Sequence, residues 1–185
     1  APLVVPLGAR ADEASDFDAF VNAEMLRAGI PGLALGYARE GRVQLTRGYG
    51  VADLVSRRPV TFNTVFPLAS VTKPVTATVV MQLVEQGRLG LDDAVGPHLG
   101  FPLANPHHPD APITVRQLLT HPSSLSDAKY YEIDFRTPGK DASLSLDALL
   151  EGYLAPDGAY YDAEKCFSTA SPGARWDYCN IGIAL

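Results

Sequence analysis

The chain has 185 residues, a net charge of −6 and 46% hydrophobic side chains, enough apolar content for one sizeable core. Its fifteen basic residues are scattered, which excludes a nucleic-acid footprint, and no apolar stretch reaches the roughly 18 residues of a membrane span. A start at Ala1 leaves a removed export signal and a trimmed beginning both open; a periplasmic or secreted location is expected, with the cytoplasm as the alternative. Cys166 and Cys179 allow either one disulfide or two small buried thiols.

Residues 1–10 read as an extended tail. From Asp12 to Ala28, Phe17, Phe20, Val21 and Met25 recur at helical spacing, and Gly29 and Pro31 stop the helix. Two β-rich runs, Leu33 to Arg39 and Arg42 to Tyr49, flank Glu40-Gly41 and predict a hairpin. In "SVTKPVTATVVMQLVEQG" the apolar positions Val71, Val75, Val79, Val80, Leu83 and Val84 predict a buried helix ended by Gly87. Pro74 fits only in the first turn, where its missing N–H costs nothing, so the helix must start near Ser70. Residues 91–112 read as proline-rich loop. "ITVRQLLTH" reads as a short helix capped by Thr114, and residues 121–143 as polar and irregular. "SLDALLEGYL" is a helix with Ser145 as cap, residues 155–176 are loop, and "NIGIAL" opens a last helix.

Two constellations carry chemistry. The first is Ser70 with Lys73. Residues three apart share a helix face, and a hydroxyl needs a neighbouring base to become a nucleophile. The first turn of a helix favours developing negative charge. A lysine one turn on takes the serine proton when burial favours its neutral form, and the apolar neighbours predict that burial. The ordinary alternative is an N-cap serine beside a solvated lysine. The spacing also recurs at Ser126 and Lys129, in the polar stretch "SSLSDAKYYE", where it reads as a chance repeat.

The second is Tyr178-Cys179-Asn180, the chain's one Tyr-x-Asn. A phenol held beside a cation passes protons, and an asparagine two residues on in extended backbone points to the same side with both a donor and an acceptor. The alternative is a loop tyrosine packed on Trp176 and an asparagine capping the last helix. His98, His107, His108 and His121 lack a ligand spacing and read as solvated; no metal or cofactor is implied.

In order, Ser-x-x-Lys opening an apolar helix, "GRLGLDDAV", "ITVRQLLTHPSSL" and "SPGARWDYCNIGIAL" resemble the serine β-lactamase and penicillin-binding-protein-like superfamily. The chain is most similar to the branch of class C β-lactamases, D-alanyl-D-alanine carboxypeptidases and β-lactamase-like esterases, from about residue 16 onward. The resemblance implies an α/β (α+β) fold of the β-lactamase/transpeptidase type, a helical region plus an antiparallel sheet. It makes residues 1–185 the N-terminal part of one such domain. It assigns Ser70 as the acylated nucleophile, with its own N–H as half of the oxyanion hole. Lys73 becomes the neighbouring base, Tyr178 the relay to the leaving group and Asn180 the holder of the substrate's amide or carbonyl.

The sequence also departs from that pattern. Ser124 stands where the family often has glycine in His-Thr-Ser-Gly-Leu, and Cys179 where serine or alanine is commoner. A third motif, Lys/His-x-Gly on a later strand that gives the second oxyanion N–H, has no match here; its loss would cost on the order of 3 kcal/mol of transition-state stabilisation. Without the later strands the hairpin also keeps an open edge. A second polypeptide or a further segment is therefore expected to complete the fold. The implied function is a serine hydrolase forming an acyl-enzyme with a small-molecule or peptide acyl donor, whether ester, amide or β-lactam. The alternative is a non-catalytic binding or assembly module on the same fold.

Overall fold

The structure, a computed structural model, describes residues 11–134 and 138–185. The expected tail at residues 1–10 lies outside the described residues. The chain divides into two compact units, one ending at Leu68 and one running from Ala69 to Leu185.

The first unit holds helix α1 (Ala11–Ala28) and strands β1 (Gly32–Arg39) and β2 (Arg42–Gly50). Gly29, at φ 67°, ends α1: its N–H bonds Leu26 O and the Ile30 N–H bonds Met25 O, the paired bonds of a left-handed helix stop. The hairpin turns on Glu40 and Gly41, both at positive φ, as a two-residue loop between right-twisted strands requires. Gln44 is the extra residue of a bulge, since Tyr37 pairs with Leu45 but Ala38 with Val43. Val21 and Met25 pack on Tyr49 with Leu33 and Leu35 beside them. Tyr49 Oη donates to Asp18 Oδ1 at 2.6 Å, and burial followed by that bond pushes its phenol up to about 12. Phe17 and Phe20, expected inward, are 38% and 63% exposed. At about 100° per residue Phe20 lies roughly 120° round α1 from the midpoint of Val21 and Met25, so one face cannot bury all four.

The second unit holds α2 (Thr72–Glu85), α3 (Val115–Thr120), α4 (Leu146–Leu154), α5 (Ala163–Cys166) and α6 (Asn180–Ala184). Its core joins Ile113, Val115, Leu118, Leu125, Leu149, Leu150, Tyr153, Leu154, Phe167 and Ile181. The caps are those the sequence predicts. Thr114 and Gln117 satisfy each other's N–H groups at the start of α3, and Ser145 accepts from the Ala148 N–H at the start of α4. Residues 155–176, expected to be loop throughout, contain the single turn α5, capped by Asp162. Tyr153 is fully buried, yet its hydroxyl donates to Ser126 O and accepts from the Tyr130 N–H, so no polar group is stranded.

The expectation of a buried α2 is overturned. None of its residues is buried, and Val71 just before it, Val75 and Val79, one face at i, i+4 and i+8, are 64%, 57% and 53% exposed. The core reaches only the other flank, through Val80. Pro74 does fall in the first turn, and Gly87, at φ 67°, follows the last turn. Cys166 and Cys179 are free buried thiols, so no disulfide joins them. Among the described residues the only sheet is the two-stranded hairpin, and no helix is long and apolar enough to cross a membrane.

Candidate active site

Ser70 does not cap α2. It lies in a tight turn, Ala69–Val71, just ahead of the helix, and the cap position is Val71, whose side chain makes no cap bond. Ala69 sits at φ 46°, a left-handed conformation that costs a residue with a Cβ about 1–2 kcal/mol. This strained turn leaves the Ser70 hydroxyl exposed and free of the backbone.

The hydroxyl is taken by side chains instead. Ser70 Oγ lies 2.7 Å from Tyr178 Oη and accepts from Lys73 Nζ at 3.2 Å. Lys73 Nζ also donates to Asn180 Oδ1 at 2.7 Å and sits 4.8 Å from the centre of the Tyr178 ring. All four residues singled out in the sequence thus converge on one point, and the alternative of a capping serine with a solvated lysine is excluded. Lys73 is only half-buried. The Lys73 ammonium, and after it the Ser70 hydrogen bond, hold the Tyr178 phenol below its ordinary range. A lowered pKa leaves a larger share of Tyr178 as phenolate, the form that can take the Ser70 proton.

Tyr178 and Asn180 are delivered by a hydrogen-bonded seam. Ser168 N bonds Ser124 O, Ser126 N bonds Cys166 O, Gly173 N bonds Pro122 O and Asp177 N bonds His121 O. The seam turns at Ser124, which takes φ 65° at the position where the related pattern has glycine. The buried Asn105 steadies it, donating through Nδ2 to Ser124 Oγ and to Ser168 O.

Two residues at the site went unrecognised in the sequence. His121, expected to be solvated, packs its ring 4.7 Å from that of Tyr178, meets Trp176 edge-on and accepts the Cys179 N–H on Nδ1. Burial and then the Lys73 charge push its imidazole down, toward the neutral form. The other is Asp127, inside the segment dismissed as a chance repeat of Ser-x-x-Lys. Ser126 and Lys129 are not part of the site. Asp127, 9% exposed, accepts Asn180 N and Nδ2, Ile181 N and the Cys179 thiol. Cys179, not Asn180, caps α6 by accepting the Gly182 N–H. Burial, and then Asp127, push its thiol up, so it is a protonated donor and not a nucleophile.

The β-lactamase family matches residues 17–185. Protein flp of Staphylococcus aureus (strain NCTC 8325 / PS 47) is 30% identical over 114 residues, which are 62% of this chain and 23% of flp. Esterase EstB of Burkholderia gladioli is 36% identical over 115 residues, 60% of this chain and 29% of EstB. The octameric penicillin-binding protein homologue from Pyrococcus abyssi superposes with a TM-score of 0.70 at 28% identity, over 93% of this chain and 37% of that one. The chain therefore spans well under half the length of each of these relatives. With the family matched over nearly all its residues and the site residues in one cluster, the chain belongs to the β-lactamase family and carries a β-lactamase/transpeptidase-like fold.

Proposed function

We propose that the protein is a serine hydrolase acting through an acyl-enzyme, with Ser70 as nucleophile. The observation that carries this is the Ser70 hydroxyl, drawn out of the backbone and held 2.7 Å from Tyr178 Oη and 3.2 Å from Lys73 Nζ. When Oγ attacks an acyl carbon, its proton passes to the Tyr178 and Lys73 pair, which returns it to the leaving group. Water, deprotonated by the same pair, then attacks the ester carbon, releases the acid and restores Ser70. Asn180 keeps Lys73 in place and offers its amide to the substrate. The naming of EstB as an esterase supports an ester as the first substrate to try, ahead of a β-lactam or a D-amino-acid peptide.

The full-length protein is expected to hydrolyse a p-nitrophenyl ester and to gain the mass of a phosphonate probe at Ser70. Ser70→Ala should abolish both. Labelling that survives the substitution refutes the assignment, and an intact fold that turns over no acyl donor favours the binding-module reading.

The chain reads as the N-terminal part of one β-lactamase-like domain, completed by a further segment or a second polypeptide. Its 37% coverage of the Pyrococcus abyssi homologue and the exposed stripe Val71, Val75 and Val79 support this. A stable, active monomer with only the mass of this chain would overturn it.

A further inference from the structure

We propose that Asp127 is a positioning residue that locks the Asn180 side-chain amide in one orientation, so that its oxygen always faces Lys73. The inference rests on the serine-hydrolase reading above and concerns a residue that does not touch Ser70.

An asparagine amide has an accepting end and a donating end of nearly the same shape, so its partners decide which way it points. Here the two ends meet opposite partners. Oδ1 accepts from Lys73 Nζ at 2.7 Å, and Nδ2 donates to Asp127 Oδ2 at 2.8 Å. Turned over, the amide would set two donors together at Lys73 and two acceptors together at Asp127. A neutral partner in place of Asp127 could accommodate either orientation by turning its own amide or hydroxyl. A carboxylate cannot, since it only accepts.

Asp127 is itself prevented from moving. Oδ1 takes the Ile181 N–H at 3.0 Å and the Cys179 thiol at 3.1 Å, and Oδ2 takes the Asn180 N–H at 2.8 Å. With the Asn180 side chain that makes four donors on a carboxylate 9% exposed, and a buried carboxylate needs them. Its segment is tied down by Ser126 N to Cys166 O and by Ala128 N to Ser126 Oγ. One buried group thus holds both the backbone that carries Asn180 and the end of its side chain. The bond from Asn180 to Lys73 then sets how near Lys73 Nζ stays to Ser70 Oγ.

Asp127→Asn tests this at almost constant volume. The new amide has one accepting oxygen where the carboxylate had two, so it cannot serve both the Ile181 N–H and the two Asn180 donors. With its NH2 toward Asn180 it lets the Asn180 amide turn its own NH2 to Lys73, and the single orientation is lost. Expected is a fall of about 10- to 100-fold in kcat for ester hydrolysis by the full-length protein, larger than the change in KM that a turned Asn180 amide also brings, since misplacing a reacting group weakens the chemical step. Adding Asn180→Asp restores an acceptor toward both neighbours and should recover at least about tenfold of the loss; damage to packing alone would deepen with a second substitution. A kcat for Asp127→Asn within twofold of the parent, or a double variant no better than the single one, overturns the proposal.

Side-chain amide exchange read by NMR on the parent protein needs neither turnover nor a variant. One Nδ2 proton of Asn180 should be strongly protected, and exchange of both at the free-asparagine rate overturns the proposal. Failure of the hydrolase reading looks different: turnover is then absent in the parent or survives Ser70→Ala, while that proton stays protected.

Discussion

Residues 121–127 and 166–181 are tied together by buried hydrogen bonds at Ser124, Asp127, Cys166 and Cys179, whereas α2, which carries Lys73 and follows Ser70, has no buried residue. The first region sets Tyr178 and Asn180 through contacts that leave few alternatives. The second sets its pair through a strained turn at Ala69 and one flank packed on the core through Val80. The nucleophile and Lys73 therefore sit on the more lightly held side, and Tyr178, with the Asn180 that holds Lys73, on the more firmly held side. Such a site is most sensitive to chemical change at the firm side and least sensitive to mild change along the exposed stripe of α2.

The largest expected effect strikes the junction itself. Tyr178→Phe keeps the ring on His121 and beneath Lys73 but removes the oxygen 2.7 Å from Ser70 Oγ. Loss of a proton-transfer group predicts a drop of about 10²- to 10⁴-fold in kcat with an unchanged melting temperature. Stopped-flow acylation by a chromogenic ester measures it, and a rate within fivefold of the parent would move the proton work to Lys73 alone. The firm side is tested next by Phe167→Ala. Phe167 is 2% exposed, and its removal predicts a loss of about 3–5 kcal/mol in chemical denaturation. A loss below 1 kcal/mol would show that the seam does not depend on its core.

Much of this arrangement was legible in the sequence, because its signals are local. Pro74 marks the first turn of α2, Thr114 and Ser145 cap their helices within three residues, and Glu40-Gly41 turns the hairpin. Tyr178 and Asn180 stand out by a spacing of two, and the family resemblance gives that spacing its meaning. What stayed hidden depends on partners distant in the chain. Asp127 meets Asn180 across 53 residues, and nothing beside it announces a buried carboxylate. His121 reads as the residue after a short helix until the seam brings Tyr178 over it. The valines of α2 have the period of a buried face, but period says which side is apolar, not whether anything covers it.

Ser124 measures what the seam's turn depends on. Ser124→Gly removes left-handed strain worth about 1–2 kcal/mol but loosens the unfolded chain and leaves one N–H of the buried Asn105 unpaired, at about 1–3 kcal/mol. The terms nearly cancel, with a net loss of about 1 kcal/mol expected on denaturation. A gain would mean that the Asn105 bond contributes little. A smaller effect follows from His121. Its lowered pKa means that the unfolded chain binds more protons than the folded one below pH 6.5, so stability is complete above that pH and declines as pH falls toward the folded value. The groups facing the ring are Lys73, which lowers its pKa, Asp127, which raises it, and the neighbouring Tyr178 and Trp176. Asparagine tolerates the φ of 72°, so His121→Asn should keep the turn and flatten melting temperature against pH between 7.5 and 5.5. An unchanged slope would assign that dependence to other groups.

The smallest effect belongs to the lightly held side. Val75→Thr preserves shape and β-branching, and the two residues have similar helix propensities. At a position 57% exposed, a hydroxyl in place of a methyl keeps its water, so stability should change by no more than about 0.5 kcal/mol in the chain of residues 1–185. In the full-length protein the same substitution asks a different question. If a completing segment covers the stripe, the buried hydroxyl keeps only the carbonyl four residues back, as Thr76 and Thr78 do, in place of water, and the cost rises to about 1 kcal/mol. Paired melting curves for the two lengths therefore show whether α2 is held firmly in the whole protein. An equal, small effect in both would leave the nucleophile's helix open, and the contrast between the two sides of the site would be a property of the protein itself.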